Sequence, residues 1–124
     1  MEKYLIDTNT AIDYLDNKLP KHFASLLESV TIYLPVIVRM ELLSWKKATY
    51  NQEQILLKYI NASFVYGLDE PIIVDAIFIR KNYSVKLPDA IIAATAINKN
   101  LILLTRNMAD FEKINGLNVI NQYT

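Results

Sequence analysis

The sequence predicts an α/β protein in which a parallel sheet of about five strands is sandwiched between helices. Three observations predict it. Short apolar runs alternate with helical patterns along the chain. The strand segments are continuously apolar, as strands covered on both faces are. Only two glycines and four prolines occur in 124 residues, so elements follow one another without a linker.

Tyr4-Leu5-Ile6 is a short apolar run that ends at Asp7 and reads as a buried strand. Thr8 to Asp16 carries Ile12 and Leu15 at helical spacing. A second helix, about Pro20 to Ser29, has Phe23, Leu26 and Leu27 on one face. Thr31 to Leu34 is rich in strand formers, and Pro35 suits the first position of a helix running from Val36 to about Lys47. Asn51 to Asn61 is amphipathic through Ile55, Leu56 and Tyr59. Ser63 to Tyr66 is a third strand, and Asp69-Glu70-Pro71 opens a helix to about Tyr83. Leu87-Pro88-Asp89 starts the next helix, with Pro at the first helical position; it reaches about Lys99 and is apolar almost all round, which marks it as buried. Leu101 to Leu104 is a strand, Asp110 to Ile114 a helical turn, and Asn118 to Ile120 a last strand.

The length suits one domain, residues 1–124, and the apolar fraction of 52% suffices for a core without disulfides. There are no cysteines, which excludes a thiolate metal site and a cysteine nucleophile and fits a reducing compartment. Met1-Glu2-Lys3 leads straight into a strand, with no signal-peptide pattern, and no apolar run approaches the roughly 20 residues of a membrane span. The expectation is a soluble, cytoplasmic protein. With 13 basic and 13 acidic residues the chain lacks the basic excess of many nucleic-acid binders. If four acids are committed to a metal, 13 basic residues face 9 acidic ones, a net charge of +4.

Gly67 and Gly116 are the only glycines, so there is no phosphate loop or dinucleotide fingerprint. His22 has no partner at a metal-ligand spacing and reads as a surface position, and no serine sits in a nucleophile elbow. What remains are carboxylates in apolar surroundings: Asp7 after the first strand, Glu41 within Val36–Leu43, Asp89 at the head of a buried helix, and Asp110 after the strand Leu101–Leu104. A buried charge is costly unless it is paired or binds metal. Hard divalent cations take oxygen ligands, and such clusters activate water for phosphodiester cleavage.

Each acid also has a structural reading. Asp7 can cap the helix that starts at Thr8, Asp89 can complement a helix dipole, and Asp110 can cap its own turn. Glu41 can be an ordinary solvated helix residue, although Ile37, Val38, Ser44 and Trp45 offer it no basic partner one turn away. In an open parallel sheet, ligands bind beyond the carboxyl ends of the strands, and the functional reading gathers the acids there.

At these residues the chain resembles the PIN-domain family, most of all the VapC-type toxins of bacterial toxin–antitoxin pairs. The resemblance lies in Leu5-Ile6-Asp7-Thr8-Asn9, in Pro35-Val36-Ile37-Val38-Arg39-Met40-Glu41-Leu42 and in Leu87-Pro88-Asp89-Ala90-Ile91-Ile92-Ala93-Ala94-Thr95-Ala96. It continues through Leu103-Leu104-Thr105-Arg106-Asn107 and Asp110-Phe111 to Ile114-Asn115-Gly116-Leu117. It implies a PIN-like fold and a magnesium- or manganese-dependent endoribonuclease. Asp7, Glu41 and Asp89 would hold the metal, with Asp110 as a fourth catalytic acid and Asn9, Thr105 and Asn107 supporting. Many relatives carry Asp two residues after the threonine; here that position is Asn107, and Asp110 stands in for the missing carboxylate.

The resemblance further implies an RNA substrate, a cognate antitoxin and a homodimer. Met40, Leu43 and Trp45 are candidates for apolar surface near Glu41. Arg39, Lys46, Lys47, Arg80, Lys81, Lys86 and Arg106 are candidate backbone contacts. The rival is a PIN-like binding or assembly module with a weak or inactive metal site, a reading that Asn107 keeps open. A phosphatase of the haloacid-dehalogenase type would place a second Asp where Asn9 stands.

Overall fold

The first strand of the chain lies at the centre of the sheet. The computed structural model describes residues 2–124. β1 (Tyr4–Ile6) pairs in parallel with β2 (Ile32–Pro35) on one side and β4 (Ile102–Leu104) on the other. β3 (Phe64–Tyr66) and β5 (Val119–Ile120) are the parallel edges, giving the order β3-β2-β1-β4-β5. The register sets Leu5 against Tyr33 and Leu103, and Ile6 against Leu104. Leu5, Ile6, Leu103 and Leu104 are fully buried, which is why these strands read as apolar runs.

Among the described residues seven helices flank the sheet: α1 (Thr8–Leu15), α2 (Lys21–Ser29), α3 (Val36–Leu43), α4 (Tyr50–Ala62), α5 (Glu70–Asn82), α6 (Leu87–Asn98) and α7 (Met108–Phe111). This is the α/β architecture expected, a parallel sheet between helices. α6 buries every residue from Ala90 to Ala96 and packs against α5 and the sheet. Among the described residues no helix is long and apolar enough to cross a membrane.

Several boundaries differ from expectation. Pro35 closes β2 and caps α3 instead of opening the helix. α3 stops at Leu43, short of Lys47, because the Ser44 hydroxyl donates back to the Met40 carbonyl at 2.6 Å and the chain must turn to reach the Thr49 capping box of α4. The last helix is Met108–Phe111 instead of Asp110–Ile114, because Asn107 is its cap and accepts from the Asp110 amide. Pro88 likewise takes the second, not the first, position of α6.

The chain runs from β1 outward to β2 and β3, then returns across the sheet to β4 beside β1. The carboxyl ends of β1 and β4 therefore flank a topological switch point, the place where open sheets present ligand sites. Asp7 and Thr105 follow those two ends directly.

Candidate active site

Asp7 leaves β1 and caps α1. Its Oδ1 accepts from the Thr10 backbone N–H at 3.0 Å, and its Oδ2 accepts from the Thr105 hydroxyl at 2.5 Å. Thr105 in turn accepts from the Asn107 backbone N–H at 3.0 Å. Asp7 is buried at 7% exposure, yet these donors hold its carboxylate in one orientation. The capping role and the site role coexist: one oxygen serves α1 and the other faces β4.

Glu41 lies on α3 one residue before the buried Leu42, so the helix turns it outward. The Thr8 hydroxyl donates to its Oε1 at 2.6 Å, which ties the first turn of α1 to α3. Asp89 occupies the first turn of α6 and is half-buried. Burial pushes its carboxyl above the ordinary carboxylate range, and the negative charges of Asp110, Asp7 and Glu41 add to the rise; only Lys86 opposes it. Four carboxylates thus act on one another across a common space. Asp110 sits on α7, where the Asn107 side-chain amide donates to its Oδ2 at 2.9 Å.

That space is a pocket of about 320 Å³. Asp7, Glu41, Asp89 and Asp110 all line it, together with Asn9, Asn107 and Lys86. All four sequence-predicted acids are therefore brought together, with Asn9 and Asn107 on the rim. Thr105 stands behind Asp7 and lines a neighbouring pocket instead. His22 is exposed, its ring meets the Gln122 carbonyl at 2.9 Å, and it lines neither of these pockets.

Hard oxygen ligands in one pocket, charged and mutually repelling, suit magnesium or manganese. Among the described residues no three His, Cys, Asp or Glu side chains converge tightly enough to enclose an ion.

Sequence reasoning missed Thr8. Its adjacency to Asp7 gave no signal, because its partner lies 33 residues away. It named Lys86 and Arg106 only as two of seven candidate cations, and it missed Asp13 and Tyr123, whose hydrogen bond spans 110 residues.

A second, larger hollow of about 360 Å³ adjoins the site and is mostly apolar, lined by Ile12, Leu15, Leu42, Trp45 and Ile55 with Glu41 at its edge. Trp45, at 50% exposure, lines this hollow, and Met40 and Leu43 are exposed as well, so all three candidates for apolar surface near Glu41 lie at the surface.

Comparison with known proteins places this geometry. The family model described as "PIN domain" matches residues 4–117. A comparison with curated protein sequences finds no match. Among solved structures, a chain of a toxin–antitoxin complex from Klebsiella pneumoniae is 33% identical, with a TM-score of 0.78, covering 96% of this chain and 97% of that one. A chain of DNA-bound VapBC from Salmonella typhimurium is 26% identical, with a TM-score of 0.83 and coverage of 97% and 98%. VapBC-1 from nontypeable Haemophilus influenzae, at 22% identity, a TM-score of 0.80 and coverage of 95% and 96%, shares the fold.

Proposed function

This chain belongs to the PIN-domain family, and on that premise we propose that it is a VapC-type toxin, a magnesium- or manganese-dependent endoribonuclease that hydrolyses RNA phosphodiester bonds. One observation carries the reading: the carboxylates of Asp7, Glu41, Asp89 and Asp110 line one pocket at the switch point of the sheet. The similarity to chains of toxin–antitoxin complexes from Klebsiella and Salmonella supports the toxin assignment.

Asp7, Glu41 and Asp89 would hold the metal, with Asp110 beside them. When bound, the metal supplies an activated water and stabilises the leaving oxygen. The chain's own residues keep the acids in position. Thr10 and Thr105 fix Asp7 from two sides, Thr8 fixes Glu41, and Asn107 fixes Asp110. Asn9, exposed on the rim, is placed to orient water or substrate.

The test is cleavage of RNA by the purified protein with magnesium or manganese, set against Asp7→Asn. Asparagine is as good a helix cap as aspartate, so the variant keeps the fold and loses the charge. Metal-dependent cleavage that disappears in Asp7→Asn is the expected result. Equal cleavage by both proteins would overturn the reading. The binding-module alternative draws on Asn107 and on the absence, among the described residues, of three acids close enough together to hold a metal ion. It predicts no cleavage of any RNA and no rise in melting temperature with either metal, since an ion that binds only the folded state must raise it.

The partners follow from two surfaces. The apolar hollow beside Glu41 suits an apolar segment of a cognate antitoxin. α5 exposes Val74, Ile77 and Phe78 at helical spacing, between Glu70 at one end and Lys81 at the other. An antiparallel pairing with a second copy sets Glu70 opposite Lys81 twice, which makes the face self-complementary and suits a homodimer. We assign the protein one domain and a cytoplasmic site of action, where its RNA substrate lies.

A further inference from the structure

A polar pocket on the far side of Asp7 has no part in the reading above. Its volume is about 250 Å³, and Asn9, Thr10, Thr105, Arg106, Asn107 and Tyr123 line it besides Asp7. Asp7, Asn9 and Asn107 also line the acidic pocket, so the two hollows adjoin across a shared ridge. Their electrostatics differ. The acidic pocket holds four carboxylates and Lys86. This one holds a single carboxylate, Asp7, already engaged by Thr105, and a guanidinium, Arg106.

Arg106 is anchored from beneath. Its guanidinium carbon lies 5.1 Å from the Tyr123 ring centroid and one nitrogen lies 3.9 Å from Asp13 Oδ2. Tyr123 is itself fixed: its hydroxyl donates to the same Asp13 oxygen at 2.7 Å, and its ring meets Phe23 edge-on at 5.4 Å. Burial and the Asp13 bond push its phenol up to about 12, so it stays a neutral donor near pH 7. The Arg106 side chain nevertheless remains 64% exposed, with a planar fork of donors turned to solvent.

The other candidate cations do not reach this ridge. Arg80 donates to the Val85 carbonyl at 2.7 Å and braces the loop before α6. Arg39 lines a separate hollow with Leu43, Leu57 and Val65. Lys46, Lys47 and Lys81 line neither of the two adjoining pockets. Lys86 and Arg106 do, one on each side of the acids.

We propose that the Arg106–Tyr123 pocket is the subsite for the nucleotide next to the scissile phosphodiester, with Arg106 on its phosphate and Lys86 on the strand at the opposite side of the acids. The inference rests on the ribonuclease reading and extends it. A phosphate backbone crossing four carboxylates is repelled by any that a metal leaves uncompensated, and a cation on either side offsets that cost. The guanidinium fork suits bidentate contact with a phosphate, while the ammonium acts as a point charge.

The experiment measures binding of the full chain to a labelled single-stranded RNA of mixed sequence, with calcium replacing magnesium to slow cleavage, over a salt series. Arg106→Met and Lys86→Met are each expected to weaken binding about three- to tenfold. Each should also flatten the slope of log affinity against log salt by about 0.7, the value for one phosphate contact on a single strand. Arg106→Lys should restore the slope but only part of the affinity. Arg39→Met should change neither, and unaltered melting temperatures exclude a folding defect. A change in stability alone cannot move the salt slope. If both methionine variants keep wild-type affinity and slope while the wild-type protein binds and cleaves RNA, the subsite is overturned and the ribonuclease reading stands. If the wild-type protein neither binds nor cleaves RNA, both fall.

Discussion

Thr105 donates its hydroxyl to Asp7 across 98 residues of sequence, at 2.5 Å and out of contact with solvent. This bond joins the residues that follow the two central strands. Thr105→Val keeps the shape and removes the donor. It should lower RNA cleavage about 10- to 100-fold, as loss of a group that orients a metal ligand does. It should also cost about 1–2 kcal/mol of stability, because the Asp7 oxygen and the Asn107 amide lose a partner. Cleavage rates and denaturant melts measure the two effects separately, and unchanged cleavage would contradict the orienting role.

Asp110 and Asn107 share two hydrogen bonds and one pocket. If Asp110 supplies the fourth carboxylate, Asp110→Asn should weaken the metal-induced rise in melting temperature and reduce cleavage. Asn107→Ala should act mainly on the cap of α7 and cost about 1 kcal/mol. Metal titrations followed by thermal melts check both, and an undiminished metal response in Asp110→Asn would remove Asp110 from the site.

Asp89 carries a sign that can be read in a pH series. Burial and the three neighbouring carboxylates raise its pKa above the unfolded value. The folded state therefore binds that proton more tightly than the unfolded state does. Its contribution to stability is complete below the ordinary aspartate range and is lost as pH rises through the raised folded value. Metal-free protein should melt higher at mildly acidic pH than at neutral pH on this account. Asp89→Asn should flatten that part of the profile; an unaltered profile in EDTA would contradict the assignment.

Phe78 stands at the middle of the exposed face of α5. Phe78→Asp should leave the monomer folded and convert a dimer to monomers, read by light scattering. Charge reversal of Glu70 alone should weaken the dimer, and pairing Glu70→Lys with Lys81→Glu should restore it. A wild-type protein that is monomeric at all concentrations would end the proposal.

Tyr59 has a buried hydroxyl with no hydrogen-bond partner among the described residues, and burial raises its pKa. Tyr59→Phe removes a desolvated group without changing the ring or its 5.6 Å contact with Tyr14. It should stabilise the protein by about 1 kcal/mol, or a few degrees in melting temperature.

Much of this architecture is written locally. The strands are legible because each is a short apolar run, and α6 because a helix apolar on all sides has nowhere to go but the core. The four acids are legible through their apolar surroundings and their resemblance to a known family. What is hidden depends on contact. The end of α3 at Ser44 is decided by a back-bond to Met40 and by the cap that starts α4. The α7 cap falls on Asn107 rather than Asp110 because of side-chain geometry within one turn. Thr8, Asp13 and Tyr123 carry no pattern of their own; only the folded chain reveals their partners. Among seven candidate cations, only the location of the pockets singles out Lys86 and Arg106.

The four acids come from segments spread over residues 7, 41, 89 and 110, and the central strand must wait for Leu104 to gain its second neighbour. A chain emerging from the ribosome therefore carries three of the carboxylates well before it carries a finished pocket. The pocket is completed late and nearly all at once, when β4 slots beside β1 and Thr105 reaches Asp7. The sheet order is a timer: the pocket is finished only after Leu104 and Asp110 have been added.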